Sequence, residues 1–285
     1  MLIFKNYHTF SAYRDQITQG KKVGFVPTMG ALHHGHLNLV EHSINSCDHT
    51  VVSIYVNARQ FNDPEDFKKY PRLPEKDISL LEKKGVSAVF LPDSEEELYK
   101  ADKSHNLNYD LKGLDLVLEG AFRQNHFNAV VEVVERLFAV VRPTHAFFGL
   151  KDYQQYKIIS HFVDSNQLPV NIVGIETVRE EGGLAMSSRN ERLSSTQREE
   201  AKNIFAILSQ VKIDYTQGKL AIDQITTKAI NALNKIPSLS KIDYLKIVKD
   251  TDLQEIKTST DKAARVFVAA HFGSVRLIDN LSLNH

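Results

Sequence analysis

Residues 27–37 read Pro-Thr-Met-Gly-Ala-Leu-His-His-Gly-His-Leu, directly after the apolar run Val23–Val26 and ahead of an amphipathic stretch. An apolar run, a glycine turn and a helical pattern in that order commit this part of the chain to a strand–turn–helix unit. His33 and His36, three residues apart, fall on one face of the first helical turn. Gly30 and Gly35 leave space for a ligand close to the backbone. A helix N-terminus presents unpaired N–H groups and a partial positive charge, so it favours an anion. Two imidazoles beside it suit a triphosphate and the charge that builds as a phosphate bond breaks. A histidine near a helix start is more commonly a capping or surface residue; the strand–turn–helix placement is what favours chemistry here.

The rest of the first half repeats the alternation. Helical patterns are expected at 9–19, 36–46, 75–84, 126–142 and 152–166, with an acidic helix start at 93–99. Strands are expected at 22–27, 50–56, 86–91, 145–149 and 170–176. A polar loop holding Pro64, Pro71 and Pro74 lies between the second strand and the helix at 75–84. In the helix at 126–142, Val130, Val133, Val134, Leu137, Phe138 and Val141 form the inward face. Alternation of this kind predicts an α/β fold with a parallel sheet covered on both faces. Ligands then bind at the carboxyl ends of strands, where the 27–37 segment stands. After residue 176 the pattern changes to a Gly-rich loop, two helices at 195–211 and 219–235, and three strand-like runs, 242–248, 265–272 and 275–281. This reads as a smaller α+β domain, with the boundary near 180: residues 1–180 and 181–285.

The bulk properties exclude several classes. The 285 residues are 42% apolar and 25% charged, as in water-soluble globular proteins. Lys+Arg and Asp+Glu both number 35, which argues against a general nucleic-acid binder. One cysteine, Cys47, rules out an internal disulfide and a Cys-based zinc site. No apolar run is long enough to span a bilayer, and the start lacks a secretory pattern, so a cytoplasmic protein is expected.

Further segments carry chemistry. Gln60, in Asn57-Ala58-Arg59-Gln60-Phe61, follows the second strand and offers a donor and acceptors for a hydroxyl or carboxylate of a small substrate. Gly149-Leu150-Lys151-Asp152-Tyr153-Gln154-Gln155 opens a helix, with Gly149 for the turn, Asp152 as a cap and Lys151 as a point cation for a phosphate. Gly182 to Asn190 reads as a flexible loop with Ser187, Ser188 and Arg189 at its tip, placed to serve as a lid. Arg123 and His126 face either a ligand or a partner subunit. Triphosphate transfer normally uses Mg²⁺, for which Asp77 is the candidate ligand.

Taken together, Pro27–His36, Lys151–Gln155 and Leu184–Asn190 resemble the pantothenate synthetase (pantoate–β-alanine ligase) family, from about residue 20 to the end. The resemblance implies a Rossmann-like nucleotidylyltransferase domain with a smaller C-terminal lid domain, as a homodimer. It implies ATP-dependent condensation of pantoate with β-alanine through a pantoyl-adenylate, releasing AMP and pyrophosphate. Met29, Gly30, Ala31, Leu32, His33, His34, Gly35 and His36 would contact ATP, with His36 catalytic and His33 and Lys151 beside it. Gly149, Leu150, Lys151, Asp152, Val178, Met186, Ser187, Ser188 and Arg189 would also contact ATP. Gln60 and Gln155 would hold pantoate, and Gln60 would also serve β-alanine. The chain departs from the family pattern at Ala58 and Gln124 (commonly Pro), Asn125 and Ala129 (commonly Gly) and Leu150 (commonly Glu). The rival readings are another adenylylating nucleotidyltransferase of the superfamily and a non-catalytic ATP-binding module.

Overall fold

The computed structural model describes residues 1–99, 109–256 and 263–284. The chain forms two compact units. The first comprises Met1–Asp115, Arg123–Leu150 and Gln155–Glu176; the second comprises Leu116–Phe122, Lys151–Gln154 and Thr177–His285. The units are thus not contiguous in sequence.

The first unit is built on strands β1 (Leu2–Phe4), β2 (Val23–Thr28), β3 (His49–Ile54), β4 (Ala88–Phe90), β5 (His145–Gly149) and β6 (Asn171–Ile175). They form one sheet in the order β1-β4-β3-β2-β5-β6, and every pairing is parallel. The chain runs outward from β2 in both directions, so the gap between β2 and β5 is the topological switch point where such sheets bind ligands. Helices α1 (Tyr7–Ile17), α2 (His34–Ser46), α3 (Pro64–Lys69), α4 (Pro74–Lys84) and α5 (Glu96–Tyr99) come from the first half. The four-residue α6 (Glu119–Phe122) follows, then α7 (His126–Val141) and α8 (Tyr153–Ser165). Valines and phenylalanines of the strands, among them Val23, Phe25, Val26, Val51, Val52, Val89, Phe90 and Phe147, are sealed from solvent, the near-continuous apolar strands of a sheet covered on both faces.

Close approach fixes α2 on β2. A Cβ placed on Gly24 would lie 2.1 Å from Ser43 Oγ and 3.0 Å from Cys47 Sγ. Ser43 is fully buried, and its hydroxyl pairs with that of Thr50 on β3 at 2.8 Å. Glycine at 24 therefore lets the helix sit against the strand at backbone distance, and Cys47 joins the packing beneath it.

In the second unit, β7 (Leu239–Lys249), β8 (Ala264–Phe272) and β9 (Val275–Ser282) form an antiparallel sheet in that order. It packs with α9 (Ser195–Ala201), α10 (Asn203–Gln217) and α11 (Ile222–Leu233) over a core that includes Leu208, Leu233, Val266 and Phe272. Two short segments, Leu116–Phe122 and Lys151–Gln154, are bound into this unit. The Glu119 carboxylate accepts from Tyr244 Oη (2.7 Å) and from both Arg276 Nη atoms (2.7 and 2.8 Å). Burial, then the adjacent Glu119 carboxylate, push the Tyr244 hydroxyl far above its ordinary range. Gln154 donates to Val117 O and accepts from Glu119 N, while Arg265 stacks 3.7 Å over the Tyr153 ring.

Four details differ from the sequence-based expectation. Strand β1 gives no sequence signal, because three residues at a sheet edge carry no readable period. The loop at 62–77 contains α3, started by Asp63 accepting from Glu65 N and by Pro64 in the first turn. The expected helix 195–211 is two helices, divided where Lys202 N–H turns to Glu199 O. On α7, Val133 is only half-buried, whereas Glu132 and Arg136 are buried.

Candidate active site

The carboxyl end of β2 leads into a turn with two successive left-handed residues, Gly30 (φ +77°) and Ala31 (φ +50°). Helix α2 then begins at His34, two residues ahead of the expected start at 36, with His33 as its N-cap in extended conformation. His33 Nδ1 accepts from Gly35 N at 3.1 Å, and His36 Nδ1 accepts from His33 N at 3.3 Å. This is a reciprocal capping box built from two imidazoles in place of the usual hydroxyl and carboxamide. The rings lie 4.1 Å apart, centroid to centroid, tilted by 36°. Because each Nδ1 accepts a backbone N–H, the neutral ring carries its proton on Nε2. Two N–H donors thereby stand at the amino end of a helix, an arrangement suited to phosphate oxygens. His34, by contrast, is exposed.

Gln60 stands after β3, on a 3₁₀ turn of residues Ala58–Gln60. Its side-chain amide donates to Met29 Sδ at 2.9 Å, tying this segment to the turn after β2. Its backbone carbonyl accepts from His126 Nδ1 (2.8 Å) and Arg123 Nη2 (3.2 Å). Asn57, which caps the 3₁₀ turn, donates to Ala129 O on α7 at 3.1 Å. Arg123 and His126, for which sequence leaves ligand and partner both open, thus serve to fix the backbone of Gln60. Their spacing around the start of α7 was the available signal. Asn125 occupies φ +59°, the region glycine prefers and asparagine tolerates best among the others. Gln124 O accepts from Asn62 Nδ2 at 2.7 Å. The loop at these departures from the family pattern is therefore held by bonds of its own.

Gly149 and Leu150 lie at the carboxyl end of β5 in the first unit, and Gln155 is half-buried in the first turn of α8. Strands β2, β3 and β5 are sheet neighbours and parallel, so the 27–37, 57–61 and 149–150 segments leave the same edge of the sheet. Lys151 belongs to the second unit. Its Nζ lies 3.5 Å from Asp152 Oδ1, and its carbonyl accepts from Asn280 Nδ2 at 2.8 Å.

The Gly-rich segment is a braced hairpin rather than the flexible loop expected. Arg179 and Ala185 form an antiparallel bridge, and Met186 N donates to Val178 O at 3.0 Å. Arg179 grips Asp279 with both Nη atoms (2.6 and 2.9 Å) and stacks 4.0 Å over Phe205. Buried Asn190 donates to Glu180 Oε1 and Ala185 O, and Arg198 donates to Glu180 Oε2. Burial pushes the Glu180 carboxyl up, but bonds from Arg198 and Asn190 outweigh it and hold the group below its ordinary range. Ser187 Oγ accepts from Arg189 N at 3.3 Å and opens a 3₁₀ turn at the tip. Val178, Met186, Ser187, Ser188 and Arg189 are all half-buried.

Asp77 does not fit a metal-ligand role. It is buried, and its two oxygens accept backbone N–H bonds from Ala31 and Leu32. Among the described residues no group of three or more His, Cys, Asp or Glu is placed to hold a metal ion.

The family profile described as Pantoate-beta-alanine ligase matches residues 2–282. The chain belongs to the pantoate–β-alanine ligase family. The pantothenate synthetase of Christiangramia forsetii is 44% identical over 269 residues, covering 94% of each chain. The crystal structure of pantothenate synthetase from Thermus thermophilus superposes with a TM-score of 0.91 at 38% identity, covering 100% of both chains. The pantoate–β-alanine ligase of Francisella tularensis, described as complexed with β-γ ATP and β-alanine, superposes with a TM-score of 0.81 at 33% identity, covering 99% of this chain and 98% of that one. The expected α/β fold and enzyme class stand accordingly. Among the described residues no helix of this ligase is long and apolar enough to cross a membrane.

Proposed function

We propose that the chain joins pantoate to β-alanine in two steps at the expense of ATP. In the first, a pantoate carboxylate oxygen attacks the α-phosphorus, the P–O bond to the β-phosphate breaks, and pyrophosphate leaves. In the second, the β-alanine amine attacks the acyl carbon of pantoyl-adenylate; the acyl C–O bond breaks, AMP leaves and the amine loses a proton. The observation that carries this reading is the imidazole capping box, which leaves the Nε2 protons of His33 and His36 as donors at a helix N-terminus. Those donors meet charge developing on the phosphates, and His36 is the catalytic member. Met29–His36 supply the surrounding ATP contacts. Gly149–Asp152, Val178 and Met186–Arg189 are proposed as further ATP contacts, with Lys151 and Arg189 as the cations. Gln60 and Gln155 orient pantoate, and Gln60 also serves β-alanine. Mg²⁺ is proposed to arrive with the triphosphate.

The test is AMP formation from ATP with pantoate and β-alanine omitted in turn. AMP is expected only with both present, and pantoate alone should support exchange of labelled pyrophosphate into ATP. Exchange that ignores pantoate but follows another acid would assign the chain to a different adenylylating reaction. ATP binding without any pyrophosphate release would leave a binding module.

A further inference from the structure

The turn that delivers the two histidines is held in an unfavourable shape. Gly30 and Ala31 are consecutive left-handed residues, and for a side chain with a Cβ that conformation costs about 1–2 kcal/mol. It persists only where surrounding structure enforces it. The enforcing group is Asp77, in the first turn of α4 and 1% exposed. Its Oδ2 accepts from Ala31 N at 2.8 Å and its Oδ1 from Leu32 N at 2.8 Å. One carboxylate thus grips two consecutive peptide groups and fixes both peptide planes immediately ahead of His33. The grip is close: a Cβ on Gly30 would meet Asp77 Oδ2 at 3.0 Å and Ile54 Cγ2 at 3.1 Å.

We infer that Asp77 is a positioning residue for the imidazole pair, acting through the Ala31 and Leu32 amides rather than as a ligand of Mg²⁺. The inference rests on the catalytic reading of His33 and His36 given above. Only a carboxylate offers two acceptor oxygens to two adjacent donors. The Asp77→Asn change would turn an NH₂ group toward one of the amides and leave a buried donor without an acceptor. The Asp77→Glu change keeps the carboxylate but adds one methylene, which displaces both oxygens from the amides they grip.

Three measurements test this. In the unsubstituted, nucleotide-free protein, the Ala31 and Leu32 amides should exchange with solvent deuterium at least ~100-fold slower than an unstructured chain. Exchange at the unstructured rate overturns the grip whatever the reaction proves to be, and needs no variant to fold. Asp77→Asn and Asp77→Glu, checked for folding by circular dichroism, should each lower kcat of pantoate-dependent pyrophosphate exchange by roughly 10- to 100-fold. KM for ATP and the Mg²⁺ concentration at half-saturation should move by less than about threefold. Unchanged kcat overturns the positioning role. Activity restored by raising Mg²⁺, especially in Asp77→Glu, makes Asp77 a metal ligand instead. If exchange survives in His36→Ala as well, the catalytic reading has failed, while the amide measurement still decides the grip.

Discussion

The turn at 28–33 in the first unit and the hairpin at 178–190 in the second both bring polar groups to short loops, on supports of different kinds. The first is held through backbone amides. Imidazole nitrogens and one carboxylate accept from Ala31, Leu32, His33 and Gly35, over a helix that a glycine lets down onto its strand. The second is held through side-chain charges, Arg179 on Asp279 and Arg198 on Glu180. A backbone-held loop ties function to local conformation, so a lost side chain there costs rate before stability. A charge-held loop ties its shape to ion pairs, of which Arg179–Asp279 is the more enclosed, so a lost partner there costs stability before rate.

Three experiments sharpen or break that contrast. His36→Ala should lower pantoate-dependent pyrophosphate exchange by roughly 100- to 1,000-fold. Its stability should fall only by the loss of a cap, about 1 kcal/mol, read as a small drop in melting temperature. Wild-type exchange in that variant removes His36 from the chemistry. Arg179→Ala leaves the Asp279 carboxylate, 4% exposed, without its guanidinium, and should destabilise the second unit by about 3 kcal/mol in urea unfolding. Arg179→Lys should recover only part, since an ammonium lacks the planar fork that makes two parallel bonds to one carboxylate; an unshifted midpoint in Arg179→Ala would show that the hairpin is braced elsewhere. Asn125→Gly should change stability by less than about 0.5 kcal/mol, whereas Asn125→Val should cost about 1–2 kcal/mol, because φ is +59° there. Equal melting of the two would mean the left-handed cap of α7 is not maintained in solution.

Much of the first unit is readable because its strands are apolar runs and its helices amphipathic, so period and length agree. The histidine motif is readable for the same reason: it interrupts a clear strand and opens a clear helix. Short elements escape, since a three-residue edge strand and a six-residue helix after Asp63 carry too few residues to show a period. The role of Asp77 escapes because its partners are backbone amides 45 and 46 residues away, and an acidic side chain in a proline-rich stretch reads as solvated or metal-binding. The bracing of the hairpin depends on Asp279 meeting Arg179, 100 residues apart, for which a single sequence offers no pairing rule. Nothing in residues 116–122 or 151–154 announces that they pack with the C-terminal sheet.

That last arrangement has a consequence for how the polypeptide matures. Glu119 leaves the ribosome 125 residues before Tyr244 and 157 before Arg276, the two groups its carboxylate serves. It must wait, as an acidic side chain in an incomplete product, until Arg276 has been made. A fragment cut at the apparent domain boundary would bury a tyrosine and a guanidinium with their carboxylate on the other piece. The final assembly of the second unit therefore follows the synthesis of Arg276, set by pairings distant along the chain.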